Sequence, residues 1–332
     1  MSLISMPAAF SGGGPPLAIW VCDWTNDRWH KVRASDGVLL GTVVLPDAFQ
    51  TIGVYDGRGH IWSAYGGNLG GDVHKIDEAA VTLTTTYHQV GHICSQICTD
   101  GTYVWWEDRD GGFVYGRRRN HIATDVIVDH HLAAGDPGLS TTAGKTAIGD
   151  GYYYSGGGTG AGGAADRPTK FNADMTVNAQ GAPGYVGSGQ LAYNSQGPYL
   201  YAQTTVGGVL KIRCSDSSIV AHYPLAGHNF VNRIAFDGTY VWVLCTAHNQ
   251  LHKVDVDNGN ILVSYATGNI SMGLCYDGSL LWYTNEDAVP RHLQARRASD
   301  GVLVYDHVLA LAGAGTRYLV VNRFGPAFIY HL

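Results

Sequence analysis

An Asp-Gly pair followed a few residues later by an apolar run with tryptophan recurs along this chain. The copies are Asp56-Gly57 before Ile61-Trp62, Asp100-Gly101 before Val104-Trp105, Asp237-Gly238 before Val241-Trp242 and Asp277-Gly278 before Leu281-Trp282. Looser copies start at Asp150-Gly151 and Gln196-Gly197, so the unit repeats every 40–50 residues or so. The best-preserved unit, 232–266, reads as four short strands. Ile234 to Phe236 stops at Asp237-Gly238, Tyr240 to Cys245 follows, Leu251 to Val256 alternates, and Asp257-Asn258-Gly259 turns the chain into Ile261 to Tyr265. One such meander has two faces and two open edges and cannot stand alone. It needs neighbours of its own kind.

The third and fourth strands repeat as well. Arg33-Ala34-Ser35-Asp36-Gly37-Val38-Leu39 returns letter for letter as Arg297-Ala298-Ser299-Asp300-Gly301-Val302-Leu303. A period near 40–50 residues with four strands per unit predicts an all-β fold, a β-propeller occupying 1–332 as one domain. Six units fall at about 48–90, 91–134, 143–187, 188–228, 229–269 and 270–312. The N-terminal segment supplies at least three strands of a seventh, and Tyr318 to Val321 would supply its inner strand. The expected ring has seven four-stranded blades. Leu3 to Phe10 and Phe328 to Tyr330 keep eight open as the alternative. In either ring the repeated Trp side chains fill the wedges between sheets.

The motifs Asp237-Gly238-Thr239-Tyr240-Val241-Trp242-Val243 and Lys253-Val254-Asp255-Val256-Asp257-Asn258-Gly259 resemble the seven-bladed propellers of the YVTN and NHL repeat type. The resemblance covers nearly the whole chain. It implies the fold and leaves the function open, since such propellers include lactonases, dehydrogenases and pure binding scaffolds.

Charge is sparse: 14% of residues are charged, against a usual quarter or so, and the net charge is −6. Arg117-Arg118-Arg119 is the one basic run, expected on a solvated blade face, so nucleic acid is not an expected partner. Five of the six lysines (Lys31, Lys75, Lys170, Lys211, Lys253) share one slot on the third strand, read here as a solvated strand end. The first residues lack the basic and apolar regions of a secretory signal. No apolar run reaches membrane-spanning length. Cys22, Cys94, Cys98, Cys214, Cys245 and Cys275 show no paired metal-binding spacing and read as buried free thiols of a protein made in a reducing cytoplasm.

Function is sought in the loops joining second to third strands and one blade to the next, which gather at one end of the ring. The expected contact surface there comprises Trp24, Trp106, Glu107, Asp108, His248, Asn285 and Glu286. Trp24 and Trp106 are read as rim rings able to stack on a sugar or anchor a protein. Glu107, Asp108, Asn285 and Glu286 have side chains that suit a cation, as in a lactonase, yet form no tight ligand motif. His92, His228 and His248 are candidate general bases, but His92 and His228 recur at blade entries as part of the repeat. The glycine-rich 156–163 leads into no helix and so lacks phosphate-loop context. Gly187-Ser188-Gly189 lacks the strand-to-helix setting of a nucleophile elbow. The expectation is a non-enzymatic binding or structural module without catalytic residues, metal or cofactor. Its partners would be other subunits of a large assembly such as a bacteriophage virion, or a cell-surface glycan bound by an adhesin. The alternatives are a metal-dependent lactonase-like hydrolase and a cytoplasmic protein–protein scaffold.

Overall fold

The computed structural model describes residues 18–23, 25–46, 50–65, 71–88, 92–110, 115–132, 146–149, 152–155, 168–172, 177–181, 191–194, 198–204, 207–225, 231–268, 271–285, 291–309 and 316–321. They form antiparallel four-stranded sheets. The chain starts in β1 (Ala18–Asp23), β2 (Arg28–Arg33) and β3 (Leu39–Val44). Next come β4 (Gln50–Tyr55), β5 (His60–Tyr65), β6 (Asp72–Asp77) and β7 (Thr82–His88), then β8 (His92–Thr99), β9 (Tyr103–Asp110), β10 (Tyr115–His121) and β11 (Val126–Leu132). A sheet of shorter strands holds β12 (Thr146–Gly149), β13 (Tyr152–Ser155), β14 (Thr169–Phe171) and β15 (Val177–Gln180). It is followed by β16 (Leu191–Asn194), β17 (Tyr199–Thr204), β18 (Gly208–Arg213) and β19 (Ile219–Pro224). The last meanders are β20 (Val231–Phe236), β21 (Tyr240–Cys245), β22 (Gln250–Asp255), β23 (Ile261–Ala266), and β24 (Ser271–Tyr276), β25 (Leu280–Asn285), β26 (Arg291–Arg297), β27 (Leu303–Leu309). Finally β28 (Thr316–Val321) pairs antiparallel with β1, so the first and last described strands share a sheet. The inner strands pack in succession: β28 on β4, then β8, β12, β16, β20 and β24, which returns to β28.

The Asp-Gly repeat earns its place through hydrogen bonds. Asp237 Oδ1 accepts the backbone N–H groups of Thr239 and Tyr240, at 2.8 and 2.7 Å. Its Oδ2 accepts the Trp242 indole N–H at 2.6 Å. Asp277 does the same for Ser279, Leu280 and Trp282. Asp56 holds Arg58, His60 and Trp62. One carboxylate therefore fixes the turn and satisfies the only polar atom of a buried ring. Trp62, Trp105, Trp242 and Trp282 are all buried between sheets, as their shared slot requires.

The lysine slot corrects the sequence reading. Each lysine lies directly across from an aromatic residue of the second strand, and Lys75, Lys170, Lys211 and Lys253 each stand over a ring: Lys170 is 3.6 Å from the Tyr152 centroid and Lys253 4.1 Å from that of Tyr240. Four of the ammonium groups reach the next sheet. Lys31 donates to the Glu78 carbonyl at 2.7 Å, Lys211 to that of Val256 at 2.9 Å and Lys253 to that of Ala298 at 3.0 Å. Lys75 pairs with Asp125. The slot is a clamp between neighbours, not a solvated strand end. Arg119 occupies it in the β8–β11 sheet, stacked over Tyr103 and Trp105, which corrects the solvated-face reading of the arginine triplet at that residue. In the β24–β27 sheet the slot holds Ala295, and His307 takes over, donating to the Ala34 carbonyl at 3.2 Å.

Aromatic residues of the outer strands complete these seams. Tyr223 donates to Val256 O at 2.7 Å and Tyr265 to Asp300 O at 3.2 Å. Each ring lies on a turn glycine of the next sheet, Gly259 and Gly301, both at positive φ.

All six cysteines are free and buried. Burial pushes the Cys245 thiol up to about 12 and the Cys275 thiol well above its ordinary value. Without reductant, thiol titration should find six groups in denaturant. In the native state at pH 8, Cys245 and Cys275 should stay unlabelled by iodoacetamide for as long as the fold is intact; rapid native labelling at either would contradict their burial.

Candidate functional site

The end of the ring where second strands hand over to third strands holds the expected contact residues. Trp24 and Glu286 lie outside the described residues, as do the glycine-rich 156–163, His228 and Gly187-Ser188-Gly189. Of the rest, the structure brings few to an open surface. Trp106 is fully buried and lies inside β9, which runs on to Asp110. Its ring sits 6.3 Å from that of Tyr87 in the neighbouring sheet. The loop placement expected for Trp106 is therefore corrected: it is a wedge residue. Glu107 and Asp108 are also strand residues, in register with Arg117 and Gly116 of β10. Asn285 closes β25 and is buried, with its amide against Gly268, where an added Cβ would come within 2.5 Å. His248 is exposed at the end of a single 3-10 turn, Thr246–His248, closed by Asn249 in the left-handed region.

Three polar features at this end escaped the sequence reading. Histidines on third strands bond hydroxyls of fourth strands twelve residues later. His30 Nδ1 meets Thr42 Oγ1 at 2.8 Å, His74 meets Thr86 at 3.1 Å and His252 meets Ser264 at 2.7 Å. That fixed spacing was visible in the sequence. Asp23, buried at the end of β1, accepts the Asn26 amide at 2.8 Å and stands 3.7 Å from His30 Nε2. Burial works to raise the Asp23 carboxyl, but the His30 ring and Asn26 outweigh it and hold it below its ordinary value. The third feature is a register break near the start of β4, β8, β20, β24 and β28, where the inner strand carries one residue more than its partner. Among the described residues, no group of three or more His, Cys, Asp or Glu side chains is placed to hold a metal ion.

Radial four-stranded meanders with an inner strand each, sealed to their neighbours and closed by pairing the last strand with the first, define a β-propeller. Solved structures share the fold. The chain matches BamB from Moraxella catarrhalis at a TM-score of 0.55 and 13% identity, over 81% of this chain and 79% of that one. It matches a functionally unknown protein from Desulfotomaculum acetoxidans DSM 771 at a TM-score of 0.65 and 12% identity, over 92% and 99%. No protein-family model and no curated protein sequence matches the chain. Among the described residues no helix is long and apolar enough to cross a membrane.

Proposed function

We propose that the chain is a single-domain, seven-bladed propeller of the YVTN and NHL kind, and a non-enzymatic module that joins other protein subunits through its outer strands. The closed succession of inner strands supports the blade count. The character of the outer strands carries the function. β3, β7, β11, β15, β19, β23 and β27 hold no Lys, Arg or Glu, and Asp only at 129 and 306. Natural edge strands are ordinarily blunted by such charges, lysine above all. Here the lysines at 31, 75, 170, 211 and 253 all sit on third strands, clamped or stacked within the ring. The outer strands expose Leu39, Val44, Val126, Leu262, Val304 and Val308 instead. Open backbone edges flanked by aliphatic side chains suit burial against other chains. A virion, or a comparable particle whose subunits are made in a reducing cytoplasm, is the assembly in view, and the six reduced, buried thiols support that setting.

Hydrogen exchange of the free chain and of the chain in its native particle tests this. The reading expects new protection on β23 and β27, and loss of incorporation for Leu262→Lys and Val308→Lys with the fold retained by circular dichroism. Protection confined to the Asp-Gly end, or undiminished incorporation of both variants, would overturn it.

A further inference from the structure

In the turns between third and fourth strands, side chains three residues apart are tied together. Arg33 holds Asp36 at 2.8 Å, Arg213 holds Asp216 at 3.2 Å and Arg297 holds Asp300 at 2.7 Å. The turn from β22 to β23 is built differently. Its first position is Asp255, and the partner three residues on is Asn258, whose side-chain N–H donates to Asp255 Oδ2 at 3.0 Å. An arginine selects a carboxylate. An aspartate in its place selects a donor, since two carboxylates at that distance repel. The same turn requires glycine at 259, where φ is +76° and the Tyr223 ring occupies the space of a side chain. Two separate demands of the fold thus create Asn258-Gly259, the one Asn-Gly pair in the sequence.

That pair carries its own chemistry, because glycine puts no side chain in the way of its backbone nitrogen. In an open turn Gly259 N attacks Asn258 Cγ. The new N–Cγ bond closes a five-membered imide, the Cγ–Nδ2 bond breaks, and ammonia leaves with the proton lost from Gly259 N. Water then opens the imide at either carbonyl, leaving aspartate or isoaspartate. The folded turn ties both reactants. The Gly259 N–H donates to Asp255 O at 2.9 Å, and Asn258 Oδ1 accepts the Asn260 N–H at 2.8 Å. Asp255 therefore holds the nucleophile with its carbonyl and the leaving group with its carboxylate.

The position of the turn gives the products their effect. Lys211 and Tyr223 clamp the β16–β19 sheet to the β20–β23 sheet, and both end on the Val256 carbonyl, at 2.9 and 2.7 Å. Val256 lies in this turn, two residues before Asn258. Aspartate at 258 would face the Asp255 carboxylate without the arginine that the other turns supply. Isoaspartate would add a methylene to the backbone beside Gly259. Either product displaces the acceptor that both clamps share.

We infer that Asn258 is a deamidation site, held off by Asp255 while the turn is closed, and that its conversion loosens this one seam of the ring. The inference goes beyond the outer-strand contacts and does not depend on them.

Peptide mapping by mass spectrometry, with isoaspartate counted, follows Asn258 in the full chain at pH 8, folded and in urea. Conversion in the folded chain should be slower by a factor of about ten or more, the protection given by a closed turn. Asp255→Ala, with its fold checked by circular dichroism, should speed conversion severalfold. Asn258→Asp should lower the urea midpoint, and Asp255→Arg combined with Asn258→Asp, which copies the other turns, should restore it. Equal rates in the folded and unfolded wild type would overturn the inference without recourse to any variant. So would an unchanged rate in folded Asp255→Ala, or an unchanged midpoint in Asn258→Asp.

Discussion

Replacing Trp242 with alanine should cost about 3–5 kcal/mol of stability, the range for deleting a large buried aromatic side chain. The ring has no exposed surface, and it stacks on Tyr265 with centroids 6.2 Å apart. Its loss opens a cavity against the next blade and strips the Asp237 carboxylate of an indole partner held at 2.6 Å. Trp242→Phe separates these effects. It keeps much of the packing but leaves the carboxylate oxygen unpaired, so about 1–3 kcal/mol should remain. Urea unfolding followed by circular dichroism checks both. A Trp242→Ala variant within about 1 kcal/mol of wild type would show that the wedge is not tightly packed.

Gly259→Ala should cost about 2–5 kcal/mol, for two reasons that a control can divide. Its φ is +76°, and an L-residue in the left-handed region costs about 1–2 kcal/mol. The new Cβ would also lie 2.1 Å from Tyr223 Cδ1 and 2.7 Å from its Cβ. The last atom adjoins the backbone and cannot swing aside, so overpacking adds about 1–3 kcal/mol. At Gly278, φ is +98° but an added Cβ meets nothing within 4 Å. Gly278→Ala should therefore show the backbone cost alone. Equal losses at the two sites would mean that the Tyr223 seam yields freely.

The sheets were legible because their punctuation is local. An Asp-Gly turn, the two backbone N–H groups its aspartate holds and the tryptophan it caps lie within six residues of one another, so each repeat announces itself. The lysine clamp was not legible, because the carbonyl that Lys253 reaches belongs to Ala298, 45 positions on. A regular slot told that the lysines share a task without telling what they touch. Trp106 was misplaced for another reason. The acidic and basic residues from Glu107 to Asp110 read as a loop, yet β9 continues through them, opposite β10 and its arginines. Of the expected contact residues that the structure describes with their side chains, His248 alone is exposed. The register breaks of the inner strands leave no compositional trace and emerge only from pairing.

The pairing of β28 with β1 has a consequence for how the protein is made. A ribosome adds about 5–20 residues per second, so β1 waits tens of seconds for its inner neighbour. Throughout that interval β1, β2 and β3 have emerged, yet the edge of β1 that will receive β28 stays open. The first blade is then the last to be finished, and each nascent chain carries a vacant strand position. On a crowded polysome the β28 of another copy can fill it, which makes exchange of this one strand between chains the characteristic assembly error of the fold.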